Sequence, residues 1–430
     1  MQIIRNMVLG VVALAAAAGA ARAETVYLRA GRLIDVERGA ALADRRVKIV
    51  DGRIAEVAPW SPPPAGGAVV DWSRYTVLPG LIDLHTHAAD GFGQTNDPAE
   101  PLKHSAAETV LKGAEAARTL LHAGFTTIRD VGVYRGLSDV ALRDAIAKGW
   151  VEGPRMVVAG AYITAPGGGG AVTGAAPDVE IPRDFRLGEV RDPVEARDRV
   201  RYLLQQRADF IKIIGTGAVL ALGSEPGALE LTEAEMKAAC DEAAARGAYC
   251  IVHAHGAAGV KAAIRAGART IEHASLIDDE GIALAKARGV FLDMDIYNGD
   301  WIEEVGTREG WPAEYLRKNR ETTDLQREGF RKAVKAGVRL TFGTDAAVYP
   351  YGLGARQFAY MVRYGMTPAQ ALRSATTEAA AALRMDRDLG QAAPGFHADL
   401  IAVEGDPLTD VTTLTHVTGV MKAGRVVKAP

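Results

Sequence analysis

The chain has 430 residues, which is enough for one large domain and one smaller domain. Its apolar content of 48% and charged content of 24% are those of an ordinary globular protein. The net charge of −3 gives no electrostatic basis for binding nucleic acid or a membrane surface, so we expect neither as a partner.

The N-terminus has the pattern of a secretory signal peptide. Arg5 precedes an apolar run at residues 7–18, and small residues at 19–23 fit a cleavage site before Glu24. The alternative is an uncleaved anchor, but the run is short for a membrane span. We therefore predict a signal peptide at residues 1–23 and an exported protein, periplasmic or secreted, with no membrane contact after cleavage.

The sequence predicts β-strands at both ends of the mature chain. The predicted strands lie at residues 25–30, 31–35, 46–50 and 53–57 near the N-terminus, and at 398–403, 417–421 and 425–427 near the C-terminus. Asp51-Gly52 is a hairpin signal between two such runs. We expect residues 24–80 and 385–430 to pair in one small composite β-sandwich domain.

Between these ends, helical patterns alternate with short apolar strands. The predicted strands lie at residues 81–84, 126–130, 155–159, 210–214, 249–252, 270–272, 290–293 and 339–342. The predicted helices between and around them include 106–123, 137–148, 194–207, 232–246, 257–266, 279–288 and 326–336. Eight such units predict an α/β fold, a (β/α)8 TIM barrel at residues 81–384, with its active site at the carboxyl ends of the strands. A doubly wound open sheet is the alternative, but it would not naturally gather the polar residues that end these strands.

Histidines follow several predicted strands at this same edge. The first strand ends in His85-Thr86-His87, and residues i and i+2 of a strand point to one side, so both imidazoles can meet one metal ion. Two polar residues that merely close a strand are the alternative. Further polar residues stand at the ends of later strands: His253, His255, His273 and Asp345.

Lys212 lies inside an apolar strand, Phe210-Ile211-Lys212-Ile213-Ile214. Burial lowers the pKa of a lysine and makes its neutral amine accessible. A neutral amine can react with carbon dioxide to form a carbamate, an anionic oxygen ligand able to bridge two metals. The alternative is a lysine whose stem is buried and whose ammonium reaches solvent.

These residues, in this order, resemble the metal centre of the amidohydrolase superfamily with a carboxylated lysine. Segments 77–87, 126–130, 368–377 and 394–407 are similar to its imidazolonepropionase-like, or Xaa-Pro dipeptidase-like, branch, which includes prolidases, carboxypeptidases and ochratoxin amidases. The resemblance implies two divalent metal ions, with zinc favoured by the nitrogen-rich ligands, and N6-carboxylysine at Lys212. The implied metal ligands are His85, His87, Lys212, His253, His273 and Asp345.

The resemblance also implies an activity. It is hydrolysis of the amide bond in dipeptides or N-acyl amino acids, which releases a C-terminal amino acid, with a metal-bridging hydroxide as nucleophile and Asp345 as proton shuttle. His255 is expected to contact substrate or to support a ligand, and Tyr162 and Tyr297 are further candidates for binding the substrate carboxylate. Relatives often carry Gly-Gly-His after the third strand, whereas this chain has glycines at 167–170, so its specificity can differ.

Several alternatives remain open at this stage. The same centre could hydrolyse lactones, other esters or cyclic amides, although imidazolone-ring hydrolysis uses one metal and lacks the lysine of the fourth strand. A periplasmic binding protein is the non-enzyme alternative. The sequence leaves undecided whether Cys240 and Cys250 form a disulfide and whether the chain forms a homo-oligomer.

Overall fold

The computed structural model describes residues 25–90 and 96–430. The predicted signal peptide therefore lies outside the described residues. Within the described ranges, no helix is both long enough and apolar enough to cross a bilayer.

The strands and helices follow the alternation that the sequence predicts. The strands are β1 (Thr25–Asp35), β2 (Ala40–Val50), β3 (Arg53–Pro59), β4 (Ala68–Pro79), β5 (Leu81–Thr86), β6 (Phe125–Asp130), β7 (Arg155–Val158), β8 (Tyr162–Ile163), β9 (Ile211–Ile214), β10 (Cys250–Gly256), β11 (Thr270–Leu276), β12 (Phe291–Asp293), β13 (Leu340–Thr341), β14 (Leu400–Val403), β15 (Val417–Lys422) and β16 (Arg425–Lys428). The α-helices are α1 (Ala106–His122), α2 (Ser138–Ala147), α3 (Pro193–Gln205), α4 (Glu233–Ala245), α5 (Ala257–Ala266), α6 (Asp279–Arg288), α7 (Asn298–Trp301), α8 (Thr307–Glu309), α9 (Ala313–Ala336), α10 (Gln357–Arg363), α11 (Pro368–Ser374) and α12 (Thr377–Ala382).

Strands from the two ends of the chain pair in one mixed sheet of seven strands, in the order β16-β15-β14-β4-β1-β2-β3. The join is the antiparallel pairing of β14 with β4, in which Leu400 faces Pro79. Buried residues such as Leu28, Trp72 and Leu400 form a separate apolar core against this sheet. The pairing of the two chain ends is as the sequence predicts, while the domain boundaries at 80 and 385 stay a prediction.

The sequence patterns do not predict the central strand β4, and they divide β1 in two at Gly31. In the structure β1 runs through Gly31, and its register with β4 shifts between Ala30 and Arg32. A Cβ atom at Gly31 would lie 2.0 Å from the carbonyl oxygen of Ser73, which is far inside contact distance. The glycine therefore permits a close approach of β4 to β1 and does not make a turn.

The remaining strands form the closed parallel barrel that the alternating pattern predicts. They divide into the sheets β5-β6-β7 and β13-β12-β11-β10-β9-β8, and β7 and β8 are two parts of the third barrel strand. The first and last strands meet where the Leu84 amide donates to the Phe342 carbonyl at 2.9 Å, and a parallel bridge joins Thr86 to Ala346. Closure places the carboxyl ends of all barrel strands around one opening.

The last long helix of the barrel, α9, begins thirteen residues before the predicted position 326. Its N-terminal half has a buried face made largely of polar side chains, among them Lys318, Asn319 and Thr322. Hydrophobic periodicity cannot reveal a helix whose inward face is polar. This half of α9 forms part of the cavity described below, through residues such as Tyr315, Asn319 and Thr322.

Cys240 and Cys250 form a disulfide, with their Cα atoms 5.2 Å apart. Cys240 lies on α4 and Cys250 begins β10, so the bond links a helix to the strand that follows it. The structure therefore contains the disulfide and not two free thiols, a question that the sequence left undecided.

Candidate active site

The carboxyl ends of the barrel strands surround a cavity that is partly open to solvent. Its walls include every residue that the sequence analysis named as a metal ligand: His85, His87, Lys212, His253, His273 and Asp345. His255 and Tyr162 also line it. The barrel therefore brings together side chains that lie up to 260 positions apart in the chain.

His85 and His87 flank the carboxylate of Asp345. Asp345 Oδ1 lies 3.1 Å from His87 Nε2 and 3.4 Å from His85 Nε2. Burial tends to raise the pKa of Asp345, but the hydrogen bond from His87 and the charges of His273 and Lys212 outweigh it and lower that pKa. An ionised carboxylate thus faces two imidazoles at one point.

Lys212 is 1% exposed, and its ammonium has no hydrogen-bond partner among the residues that the structure describes. Burial lowers the pKa of Lys212 to about 8, although the charge of Glu272 opposes the shift. The alternative of an ammonium that reaches solvent is therefore wrong. An unpaired charge is costly in such a site, so a larger fraction of this amine is neutral near physiological pH than for an exposed lysine.

His253, His255 and His273 form a second group of donors beside the first. One nitrogen from each lies within 4.8 Å of the others, and the same limit holds for His85, His273 and Asp345. His273 therefore belongs to both groups. Burial first, then neighbouring positive charge, lowers the pKa of His85, His253 and His255 well below the ordinary value, so these imidazoles are neutral.

Two of these residues hold an uncommon backbone conformation. His273 has a φ of 69° and Asp345 a φ of 56°, in the left-handed region that non-glycine residues rarely adopt. Such strain persists only where the surroundings fix it, and it is concentrated at functional sites.

At Gly343, a Cβ atom would lie 1.8 Å from Asp293 Oδ1 and 2.7 Å from the Cβ of His85, so only glycine lets the last strand approach the first here.

Carboxylate and amide side chains that the sequence patterns did not single out hold His273 and Asp345 in place. Asp295 Oδ1 lies 2.9 Å from His273 Nδ1 and accepts a hydrogen bond from Gln326 Nε2 at 2.9 Å. Asn298 donates to Asp295 and also to Asp345 Oδ2, the latter at 3.3 Å. The spacing Asp293-x-Asp295 at the end of the seventh barrel strand is a signal for Asp295, by the same i, i+2 rule that identified His85 and His87.

A buried ion pair lies behind His85. Arg129 donates to both carboxylate oxygens of Glu272 at 3.0 and 3.1 Å, and both side chains are fully buried. Glu272 Oε2 is 2.9 Å from His85 Nδ1. The pair thus connects β6 to β11 and brings negative charge to the inner side of His85.

The candidates for substrate contact are placed differently from one another. The Tyr162 hydroxyl lies 2.9 Å from His87 Nδ1, so it contacts a candidate ligand. His255 Nδ1 lies 2.8 Å from Ser275 Oγ. Tyr297 is not among the described residues that line the cavity; it packs against Tyr349 and accepts a hydrogen bond from Arg356 at 3.2 Å. The position of Tyr297 therefore does not support the expectation that it binds a substrate carboxylate.

The residues present fit a divalent metal. Neutral imidazoles and a carboxylate are the ligands that zinc and its neighbours take in proteins. Within the described part of the chain the Lys212 nitrogen is buried without a hydrogen-bond partner, and conversion to a carbamate would give it a role as an oxygen ligand.

Loss of the carboxylate at Asp295 should weaken metal binding. We expect Asp295→Asn to lower zinc affinity by about 10- to 100-fold, because a carboxylate beside a ligating histidine fixes its ring and raises its basicity. Competition with a chelator would measure the affinity. Asp300→Asn is a suitable control, since Asp300 lies in the same segment and pairs with Arg327 outside the donor groups. Equal zinc affinities of Asp295→Asn and the wild type would show that Asp295 does not support metal binding.

Comparisons with known proteins agree with this arrangement. The model of the Amidohydrolase family matches residues 76–427. Ochratoxinase from Aspergillus niger is 31% identical over 372 residues, covering 82% of this chain and 76% of that protein.

Solved structures show the same similarity. A Xaa-Pro dipeptidase with methionine bound in its active site superposes with a TM-score of 0.87 at 34% identity, covering 94% of this chain and all of that one. A prolidase in complex with N-methylphosphonate-L-proline gives a TM-score of 0.87 at 29% identity, covering 94% of this chain and 100% of that one. The predicted resemblance is confirmed: the chain belongs to the amidohydrolase family and is a hydrolase of amide bonds.

Proposed function

We propose that this protein is an exported amidohydrolase with two divalent metal ions, which cleaves dipeptides or N-acyl amino acids and releases the C-terminal amino acid. The observation that carries the proposal is the pair of adjacent donor groups that share His273 beside a buried Lys212 without a hydrogen-bond partner. Adjacent donor groups can hold two neighbouring ions, and a carbamate at Lys212 would supply an oxygen ligand able to bridge them.

In this proposal, His85, His87, Lys212 as its carbamate, His253, His273 and Asp345 hold the metals, with zinc as the favoured ion. Bound ions would supply a nucleophilic water at neutral pH and would polarise the scissile carbonyl. Asp345, ionised and held between His85 and His87, takes the proton from the attacking water and passes it to the leaving amine. Tyr162, through His87, and Asp295, through His273, keep the imidazoles in orientation.

The choice of substrate draws on the relatives. One is named an ochratoxinase, and the solved neighbours include a Xaa-Pro dipeptidase and a prolidase. The cavity at the carboxyl ends of the barrel strands is where such a substrate would bind. Its walls combine polar groups from the strand ends with apolar residues such as Val219, Leu220 and Val348, as amide substrates with side chains require.

A library assay tests the proposal. Zinc-loaded mature protein would be mixed with pooled dipeptides and N-acyl amino acids, and free amino acids would be measured. We expect release of a restricted set of C-terminal amino acids. Cleavage only of esters or lactones in a parallel assay would keep the metal centre and reject the amide substrate.

Export is the second part of the proposal. A disulfide between Cys240 and Cys250 fits an oxidising compartment, where such bonds form and persist. The intact mass of the protein recovered from its native host should correspond to a chain that begins at Glu24. A chain that still carries residues 1–23 would favour the uncleaved anchor instead.

A further inference from the structure

Lys318 is a buried lysine that the proposed mechanism does not use. It lies on α9 and is 0% exposed. Its ammonium donates to the carbonyl oxygens of Ala221 and Ser224, each at 2.5 Å, and to that of Ala218 at 3.3 Å. It also pairs with Glu314 at 2.7 Å. Every carbonyl that it contacts therefore belongs to one short segment, residues 218–224, which we call the wall loop.

The wall loop forms part of the substrate cavity. Ala218, Val219 and Leu220 line the cavity on the side between β9 and α9. The base of the loop is held by pairing between its two stems, because Thr216 bridges to Leu229 and the Gly217 amide donates to the Ala228 carbonyl. The tip lacks such strand pairing, and Lys318 reaches it from the opposite helix. Glu314, which pairs with Lys318, also accepts a hydrogen bond from the Gly223 amide at 3.0 Å, so Lys318 and Glu314 of α9 hold the tip together.

A second set of contacts links the wall loop to residues 167–170, the glycine-rich loop after the third barrel strand. The Ser224 hydroxyl accepts from the Ala218 amide at 2.9 Å and donates to Glu230 at 2.7 Å. Glu230 in turn accepts from the Gly169 amide at 2.7 Å. A Cβ atom at Gly169 would lie 3.0 Å from the Ala218 Cβ, so the two loops are tightly packed.

Burial of the Lys318 ammonium costs free energy, which indicates that its contacts serve a function. Taking an ammonium fully out of water is expensive even when carbonyls and a carboxylate surround it. An apolar side chain of similar length would fill the space without that cost, but it could not hold three carbonyl oxygens in one arrangement. Buried polar networks of this kind fix one conformation among several.

We propose that Lys318 is a positioning residue for substrate binding, which sets the shape of the cavity by holding the wall loop. The inference rests on the proposed function, because the cavity is taken to bind the amide substrate. Lys318 acts through Ala218, Val219 and Leu220 and takes no part in the chemical step.

The test compares Lys318→Met with the wild type and with Lys332→Met, a matched change at an exposed lysine of the same helix. We expect Lys318→Met to raise KM by about ten-fold with little change in kcat, since a misplaced wall weakens substrate binding without touching the reacting groups. Zinc content should stay at the wild-type level. Lys332→Met should leave KM, kcat and zinc content unchanged. An unchanged KM in Lys318→Met, or loss of kcat together with zinc, would overturn the inference.

Hydrogen–deuterium exchange gives a readout that needs no substrate. Amides of residues 216–230 should exchange faster in Lys318→Met than in the wild type, while those of the barrel strands should not. Ser224→Ala, a smaller change that leaves the ammonium buried, should shift exchange and KM in the same direction to a lesser extent. Inactive wild-type protein would count against the proposed function alone, whereas equal exchange in all variants would count against the role of Lys318.

Discussion

Replacement of Lys212 by alanine is expected to deplete the protein of metal and to lower kcat/KM by more than about 100-fold, beyond the effect of residues that only orient ligands. Lys212 is buried without a hydrogen-bond partner, in the wall of the cavity that holds the other candidate ligands. A lysine that serves only to fill space would be replaced at a small cost in activity. Metal analysis and steady-state kinetics on the same preparation would measure both effects.

The carbamate itself can be examined separately from activity. Protein loaded with zinc in the presence of ¹³C-bicarbonate should show a carbamate carbon signal by NMR, and Lys212→Ala should lack it. Lys332→Ala serves as the control, since Lys332 is exposed, pairs with Asp279 and is not among the described residues that line the cavity. A variant at Lys212 that keeps its metal and its rate would contradict the proposed ligand set.

Replacement of Asp345 by asparagine should lower kcat by about 10²- to 10⁴-fold, the range associated with loss of a general acid–base. Asparagine has the same shape as aspartate and tolerates the left-handed conformation that residue 345 adopts, with a φ of 56°. The fold should therefore be retained, while the amide cannot accept the proton from water. Circular dichroism and kinetics would separate these two effects.

The control for this change is Asp324→Asn, at an exposed position of α9 with 95% of its side chain accessible. Zinc content must be measured beside kcat, because Asp345 is also a candidate ligand. Hydrolysis by Asp345→Asn within about two-fold of the wild-type rate would remove this residue from proton transfer.

Local sequence signals predicted much of the fold because they report on local physics. Alternation of helical and apolar strand patterns reflects which face of each element is buried, and it located the barrel strands to within a few residues. The signals failed where burial is not apolar. The N-terminal half of α9 presents Lys318, Asn319 and Thr322 inward, so its helix had no hydrophobic stripe to recognise. Gly31, which suggests a turn, instead permits close approach of β4 to β1.

For the site, residue type and strand position were enough to name the candidate ligands. The i, i+2 rule applied to His85 and His87, and the closed barrel that the pattern predicts brings their partners to the same edge. Tyr297 shows the limit of this reasoning. It follows the seventh barrel strand, but the chain turns into α7 there, and the ring packs among other aromatic side chains outside the cavity wall.

The sequence by itself thus determined the barrel, the family resemblance and the donors, because these depend on residue types at regular spacings. Only the tertiary structure decided which groups are paired and which are not. It showed that Lys212 has no hydrogen-bond partner in the described chain, that Asp295 and Asn298 hold His273 and Asp345, and that Lys318 holds the wall loop. Hydrogen bonds between side chains distant in sequence depend on distances of a few tenths of an ångström, and no local pattern encodes them.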